Sequence, residues 1–180
     1  TIYNNIYQIV IGKFYSAADL GQYTRASSYN GIFANNLTNV VQRVSYPTLS
    51  SLQNNKKKLK DGYRRIIKST MLISFVGSLS LAAMAKPLII LLIGIKWLPC
   101  VEYMQIICFA AMFYPLHAIN LNILQVLGRS DLFLWLEVLK KIVGVVPIIV
   151  GVFWGIKIML WGSVITSLIS FFLNSYYSAD

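Results

Sequence analysis

The sequence predicts an all-α protein, a polytopic bundle of transmembrane helices, and three observations carry that reading. Of its 180 residues, 57% are apolar and only 12% are charged, whereas a soluble domain carries about 25% charged residues. Mean hydropathy is +0.63. The charges also cluster in gaps between uncharged runs long enough to approach the 30 Å of a bilayer core. The same apolar richness excludes disorder, which needs few apolar residues and much charge. At roughly 30 residues per span with its loop, the length suits about six spans. With no low-complexity segment and no soluble linker, residues 1–180 form a single transmembrane domain.

The elements follow in order. Ile2 to Tyr15 is apolar but interrupted by Asn4, Asn5, Gln8 and Lys13, and reads as the remainder of a first span. The chain opens Thr1-Ile2-Tyr3, with no initiator methionine and no signal-peptide pattern. It is expected to be part of a longer protein whose remainder precedes Thr1. Ser16 to Asp19 reads as a turn and helix N-cap.

From Leu20 to Leu49 runs a long helical pattern of unusual polarity. Arg25, Ser28, Asn35, Asn39 and Gln42 recur at steps of 3, 7, 4 and 3, with Ile32 in the gap. Those steps define one helical stripe. Phe33, Leu37, Val40 and Val44 form a second, apolar one. Polar faces of membrane helices point at a bundle interior or a water-filled cavity, not at lipid.

Lys56, Lys57, Lys58, Lys60, Arg64, Arg65 and Lys68 form a basic run, with Leu59, Tyr63, Ile66 and Ile67 at helical spacing inside it. This predicts an amphipathic helix at 56–68 lying on anionic headgroups. Ser69 to Ala85 is an uncharged span ended by Lys86-Pro87, and residues 88–95 are too short to cross and predict a separate interfacial helix. Lys96 and Trp97 mark the headgroup level. Tyr103 to Gly128, Leu132 to Gly155 and Ile158 to Tyr177 are the remaining spans, joined by turns at Gly128–Asp131 and near Lys157.

Formal net charge is +10, from 16 Lys and Arg against 6 Asp and Glu. On a membrane chain an excess of cations reports cytoplasmic loops. Because these cations lie between apolar runs, nucleic acid is not an expected partner. The 56–68 run, Arg129, Lys140 and Lys141 fall on one side, and Lys13, Arg25, Lys86, Lys96 and Lys157 on the other. The first side is denser in basic residues and is expected to be cytoplasmic, with Thr1 and Asp180 facing it. Cys100 and Cys108 are about 12 Å apart along one helix, too far for a disulfide, and read as buried thiols. No metal cluster, phosphate loop, nucleophile elbow or carboxylate pair is apparent, so neither a cofactor nor enzymatic chemistry is expected.

Several stretches carry a family resemblance: "GKFYSAADLGQYTRA" (12–26), "VVQRVSYPTLSSLQ" (40–53), "AKPLIILLIGIKWLPC" (85–100), "YPLHAINLNILQVLGRSDLFL" (114–134) and "MLWGSVITSLISFFLNSYYS" (159–178). Together they resemble the polysaccharide and lipopolysaccharide export flippases, the WzxC-like branch, of the multidrug/oligosaccharidyl-lipid/polysaccharide superfamily. The resemblance implies a multi-pass protein of the bacterial inner membrane, one C-terminal lobe of a two-lobed transporter whose N-terminal lobe is missing here. It further implies translocation of an undecaprenyl-pyrophosphate-linked oligosaccharide by alternating access. Two rivals are a drug or cation antiporter of the same superfamily and a membrane enzyme of polysaccharide assembly. The scarcity of intramembrane carboxylates argues against the first. The lack of a large loop bearing acid, base or arginine groups argues against the second.

Under this resemblance Arg25 is the leading substrate contact, because a guanidinium can grip a pyrophosphate bidentately. Alternatively it snorkels to headgroups. Ser28, Asn35, Asn39 and Gln42 extend the stripe, and amides both donate to and accept from sugar hydroxyls; helix–helix hydrogen bonding is the alternative. Arg43 reads as an anchor. Asn4, Asn5 and Gln8 are candidates to face the same cavity; capping a cytoplasmic helix end is the alternative. His117, the single histidine, shares a face with Asn120 three residues on. It reads either as a titratable coupling group or as a hydrogen-bonded packing residue. Glu137 and Lys141, four apart, read as an ion pair.

Overall fold

The computed structural model describes residues 5–179. Asn4, Thr1 and Asp180, to which the sequence assigns a polar cavity position and two cytoplasmic ends, lie outside the described residues. Eight α-helices make up the described chain: α1 (Ile6–Phe14), α2 (Ala17–Ser51), α3 (Lys56–Ala83), α4 (Ala85–Ile93), α5 (Pro99–Ala111), α6 (Tyr114–Val126), α7 (Ser130–Trp154) and α8 (Ile156–Ala179). A 3-10 turn, Ile95–Trp97, joins α4 to α5, and there is no strand among the described residues. The all-α class is as the sequence predicts.

α2 is one unbroken helix of 35 residues, roughly 52 Å at 1.5 Å per residue. Its start is set by a capping box. Ser16 Oγ accepts from the Asp19 amide at 3.1 Å, and the Asp19 carboxylate accepts from the Ser16 amide at 3.4 Å. Two orphan amides of the first turn are thereby satisfied.

Three boundaries differ from the sequence reading, each for a physical reason. The basic segment 56–68 and the following span are one helix, α3. Gly62 costs about 1 kcal/mol in a helix, too little to break a ladder supported on both sides. The apolar side of the basic segment also does not lie on lipid. Leu59 is buried with Leu49 and Ile123, and Tyr63 and Ile66 pack on that cluster. The expected span 103–128 is instead two helices, α5 and α6, broken at Met112-Phe113. Pro115 lacks an N–H, and its ring clashes with the carbonyl four residues back. The last carbonyls of a helix that ends inside a bilayer need other donors, and Ser74 Oγ of α3 donates to the carbonyl of Met112, the C-cap of α5, at 2.7 Å. Third, α4 begins at Ala85, so Pro87 sits in its first turn, where a missing N–H costs nothing.

Among the described residues, three stretches are both long and apolar enough to cross a membrane: Lys56–Ala83, Pro99–Val126 (α5 and α6 counted together) and Ile156–Tyr177. Six spans were expected. α2 and α7 are long enough at 35 and 25 residues, but α2 carries polar groups along its length and α7 carries Asp131, Glu137, Lys140 and Lys141 in its first half.

Contacts define the two ends of the bundle. At one end the Arg25 guanidinium lies 5.8 Å from the Trp97 ring centre, Lys157 pairs with Glu102, and the Tyr15 hydroxyl donates to the Gly151 carbonyl. At the other end are the Leu49–Leu59–Ile123 cluster and the exposed cations of α3. The larger core fills the Trp97 half, around Ile11, Ala26, Ile89, Met104, Met159 and Leu160, with both free cysteines buried in it.

α7 and α8 form a tight antiparallel hairpin. Gly155 turns the chain at φ 106°, a region that L side chains avoid. Glycines then let the two backbones approach. A Cβ on Gly151 would overlap Met159, and one on Gly162 would come within 2.7 Å of Pro147 Cβ. Small residues are the usual means of close helix approach in membranes. Gly151→Ala is therefore expected to destabilise the fold by about 1–3 kcal/mol, as overpacking does. Gly21→Ala, whose Cβ meets only Trp97 at 3.7 Å, should be neutral or stabilising by up to about 1 kcal/mol. Thermal unfolding in detergent measures both, and equal midpoints for the two variants would contradict the close-approach account.

Candidate functional site

α2 has three faces where the sequence suggested two. Ala26, Asn30, Ala34, Ser45 and Leu49 are buried, a narrow face of mostly small side chains that seats the helix on α5 and α6. Its polar members are satisfied across the interface. Asn30 Nδ2 donates to Cys108 Sγ at 3.0 Å, and Asn122 Nδ2 donates to Ser45 Oγ at 2.8 Å. A second, apolar face forms one wall of a groove of about 540 Å³, where Phe33 and Leu37 stand opposite Leu88 and Leu92 of α4.

The third face is the polar stripe. Arg25, Ser28, Asn35, Asn39 and Gln42 are all exposed, so none of them serves to pack this bundle. From Arg25 to Gln42 the stripe covers about 26 Å of helix, most of the thickness of a bilayer core. Arg25 stands at its Trp97 end, with its guanidinium over the indole. At this distance the contact is a cation–π interaction, and the guanidinium's N–H donors can add a bidentate hold on an anion.

Behind the stripe lies a partly open cavity of about 590 Å³ with mixed polar and apolar walls, bounded by α1, α2, α5, α7, α8 and the first residue of α6, Tyr114. Asn35 lines it and is also exposed on the stripe, so it connects the two surfaces. Asn5 is exposed at the start of α1 and Gln8 is half-buried. Of the α1 side chains, Tyr7 is the one that reaches the cavity wall, where it stacks on Tyr23 with ring centres 6.3 Å apart.

His117 and Asn120 stand apart from the stripe, on α6. His117 Nδ1 lies 3.3 Å from Asn174 Nδ2 of α8, and Tyr63 of α3 donates to Asn120 Oδ1 at 2.7 Å. Asn120 is fully buried. Both residues hold neighbouring helices together. Glu137, expected to pair with Lys141, pairs with Lys140.

Sequence reasoning missed several cavity residues: Ser27, Asn30, Lys140, Ser163, Thr166 and Ser167. For α8 a signal was present, because Ser163, Thr166, Ser167, Ser170 and Asn174 recur at steps of 3, 1, 3 and 4, a polar stripe of helical period. Asn30 and Ser27 sit beside the stripe of α2 rather than on it. Their inward direction depends on which face docks, and a single helix does not contain that information.

Comparison with known proteins places this arrangement. A family model described as polysaccharide biosynthesis protein matches residues 1–102, more than half of the chain. The chain belongs to this family of polysaccharide biosynthesis proteins. It is a multi-pass membrane protein similar to the teichuronic acid biosynthesis protein TuaB of Bacillus subtilis, with 28% identity over 132 residues, 73% of this chain and 27% of TuaB. It is also similar to the lipopolysaccharide biosynthesis protein WzxC of Escherichia coli, with 20% identity over 147 residues, 82% of this chain and 30% of WzxC. An uncharacterized membrane protein in the cps region of Klebsiella pneumoniae shares 32% identity over 71 residues, 39% of this chain and 15% of that protein. This polysaccharide biosynthesis protein thus spans less than a third of the length of the relatives it matches. No solved structure matches it.

The buried and exposed amides are expected to respond differently to truncation. Asn122→Ala strands the Ser45 hydroxyl in a fully buried position and should cost about 1–3 kcal/mol. Asn39→Ala, at an exposed position, should stay within about 0.5 kcal/mol. Thermal unfolding of each variant in detergent checks the pair, and a reversed order would contradict the assignment of faces.

Proposed function

We propose that this chain is one lobe of a bacterial inner-membrane transporter that translocates a lipid-linked oligosaccharide for polysaccharide biosynthesis by alternating access. The observation that carries the reading is the exposed stripe of α2. A helix that is firmly seated on α5 and α6 presents an arginine and three amides outward along most of its membrane depth. Such groups are not placed against hydrocarbon, where a charge at mid-depth costs at least roughly 2.5–3.5 kcal/mol. They are suited to a water-filled route shared with a second lobe, the N-terminal lobe of the same protein.

The cargo implied by the family resemblance has a pyrophosphate between its lipid and its sugar. Arg25 is the group on the stripe that matches a pyrophosphate, since its free N–H edges form charge-assisted pairs with phosphate oxygens. Ser28, Asn35, Asn39 and Gln42 then offer neutral donors and acceptors to the sugar. The exposed cations of α3 mark the cytoplasmic end and rest on anionic headgroups. Translocation needs no covalent step.

In the full-length protein, Arg25→Ala is expected to abolish surface polysaccharide. Arg25→Lys, which keeps the charge and loses the fork, should retain part of it. Asn35→Ala and Asn39→Ala should be milder, each removing a neutral hydrogen bond worth about 0.5–1.5 kcal/mol. Surface polysaccharide is measured in a deletion strain complemented with each variant at matched protein level. Normal export by Arg25→Ala would mean that the arginine only holds α2 against Trp97.

A further inference from the structure

The stripe leaves the cavity behind it unexplained. Its volume of about 590 Å³ falls within the roughly 300–1,000 Å³ of small-molecule sites. Gly31 of α2 and Gly144 of α7 line it without filling it. Its polar groups come from opposite walls: Asn30 and Asn35 from α2, Ser167 from α8, and Lys140 from α7. Asn30 is fixed in place by its hydrogen bond to Cys108 Sγ. Lys140 is the one formally charged residue lining the cavity among the described residues, and its side chain is 16% exposed. Its ammonium pairs with Glu137, one turn back on α7.

These walls discriminate between ligands. An apolar chain would strip water from amides and hydroxyls and leave them unsatisfied. A metal cation would meet the Lys140 ammonium, a like charge in a medium of low dielectric. A sugar ring suits the cavity better. Hydroxyls and amides are each both donor and acceptor, and the stacked rings of Tyr7 and Tyr23 give an apolar wall for its C–H face. A carboxylate on that ring can take Lys140 from Glu137 as a charge-assisted partner.

We propose that this cavity is a saccharide subsite for an acidic sugar, reached past Asn35, with Lys140 as the residue that selects the carboxylate. The proposal rests on the oligosaccharide-translocation reading, and deepens it by naming a class of sugar.

The test is isothermal titration calorimetry on the purified full-length protein in detergent, with digalacturonate and maltose as probes. Digalacturonate should bind saturably, and maltose at least about tenfold more weakly, a difference of about 1.4 kcal/mol. Lys140→Gln should bring the acid down to the level of maltose. Gly144→Leu, which fills the cavity from α7, should abolish binding of both, and Ser167→Leu fills it from α8 should the first variant fail to fold. Lys57→Ala, at the exposed basic end, should bind as the unmodified protein does. Absence of saturable binding, full binding by the cavity-filling variants, or an acid preference that survives Lys140→Gln would each overturn the subsite. If saccharide binding fails while export still requires Arg25, the subsite falls and the translocation reading stands. Binding that behaves as expected while export is independent of Arg25 leaves the subsite and removes the substrate role of Arg25.

Discussion

Lipid does not solvate polar groups, and the architecture follows from how this chain answers that constraint. A bilayer core offers no water to backbone amides, so helices carry nearly every described segment. Where the helical ladder is interrupted, a side chain completes it, as Ser74 does for the Met112 carbonyl beside the Pro115 break. Polar side chains meet the same demand. Asn30, Ser45, Asn120 and Asn122 are buried, and the structure gives each a partner on another helix. Against that background the exposed stripe from Arg25 to Gln42 is the exception, and an exception of this kind in a membrane calls for a functional reason.

The packing of α2 makes the exception possible. Alanines and small polar residues on its buried face let it approach α5 and α6 closely, so anchoring uses only one side of the helix. Two sides remain, one apolar toward the α4 groove and one polar toward open space. At the Trp97 end the indole holds Arg25 at a fixed height. At the opposite end the apolar residues of α3 dock on Leu49, so the cations of the same helix are turned outward. Sidedness and substrate route therefore depend on a single helix gripped at both ends.

Much of this is legible in the sequence. The N-cap near Ser16, the long helix α2, a short separate helix near residues 88–95 and the polar stripe all follow from local chemistry and helical period. What is not legible depends on neighbours. The continuity of α3 through Lys68 is a matter of tertiary support for a segment that, by pattern alone, resembles a surface helix. The division of α5 from α6 is signalled by Pro115, but a proline also fits a kinked single span. Separating Asn35, at a surface, from Asn120, in an interface, requires knowing which faces meet, because both residues sit in similar company along the chain. The same limit hid Lys140, whose place in the sequence reads as a loop-side cation and whose place in the bundle is a cavity wall.

The central claim is that the stripe of α2 faces water inside the membrane-embedded protein. A single-cysteine scan of residues 25–44 in the full-length protein, in a background lacking Cys100 and Cys108, tests it most directly. Membranes are treated with a water-soluble, membrane-impermeant maleimide. The account predicts labelling at 28, 35, 39 and 42, and protection at 26, in the core, and at 33 and 37, in the apolar groove. Protection of 35 and 39 together with labelling of 33 and 37 would place the polar stripe against protein and contradict it.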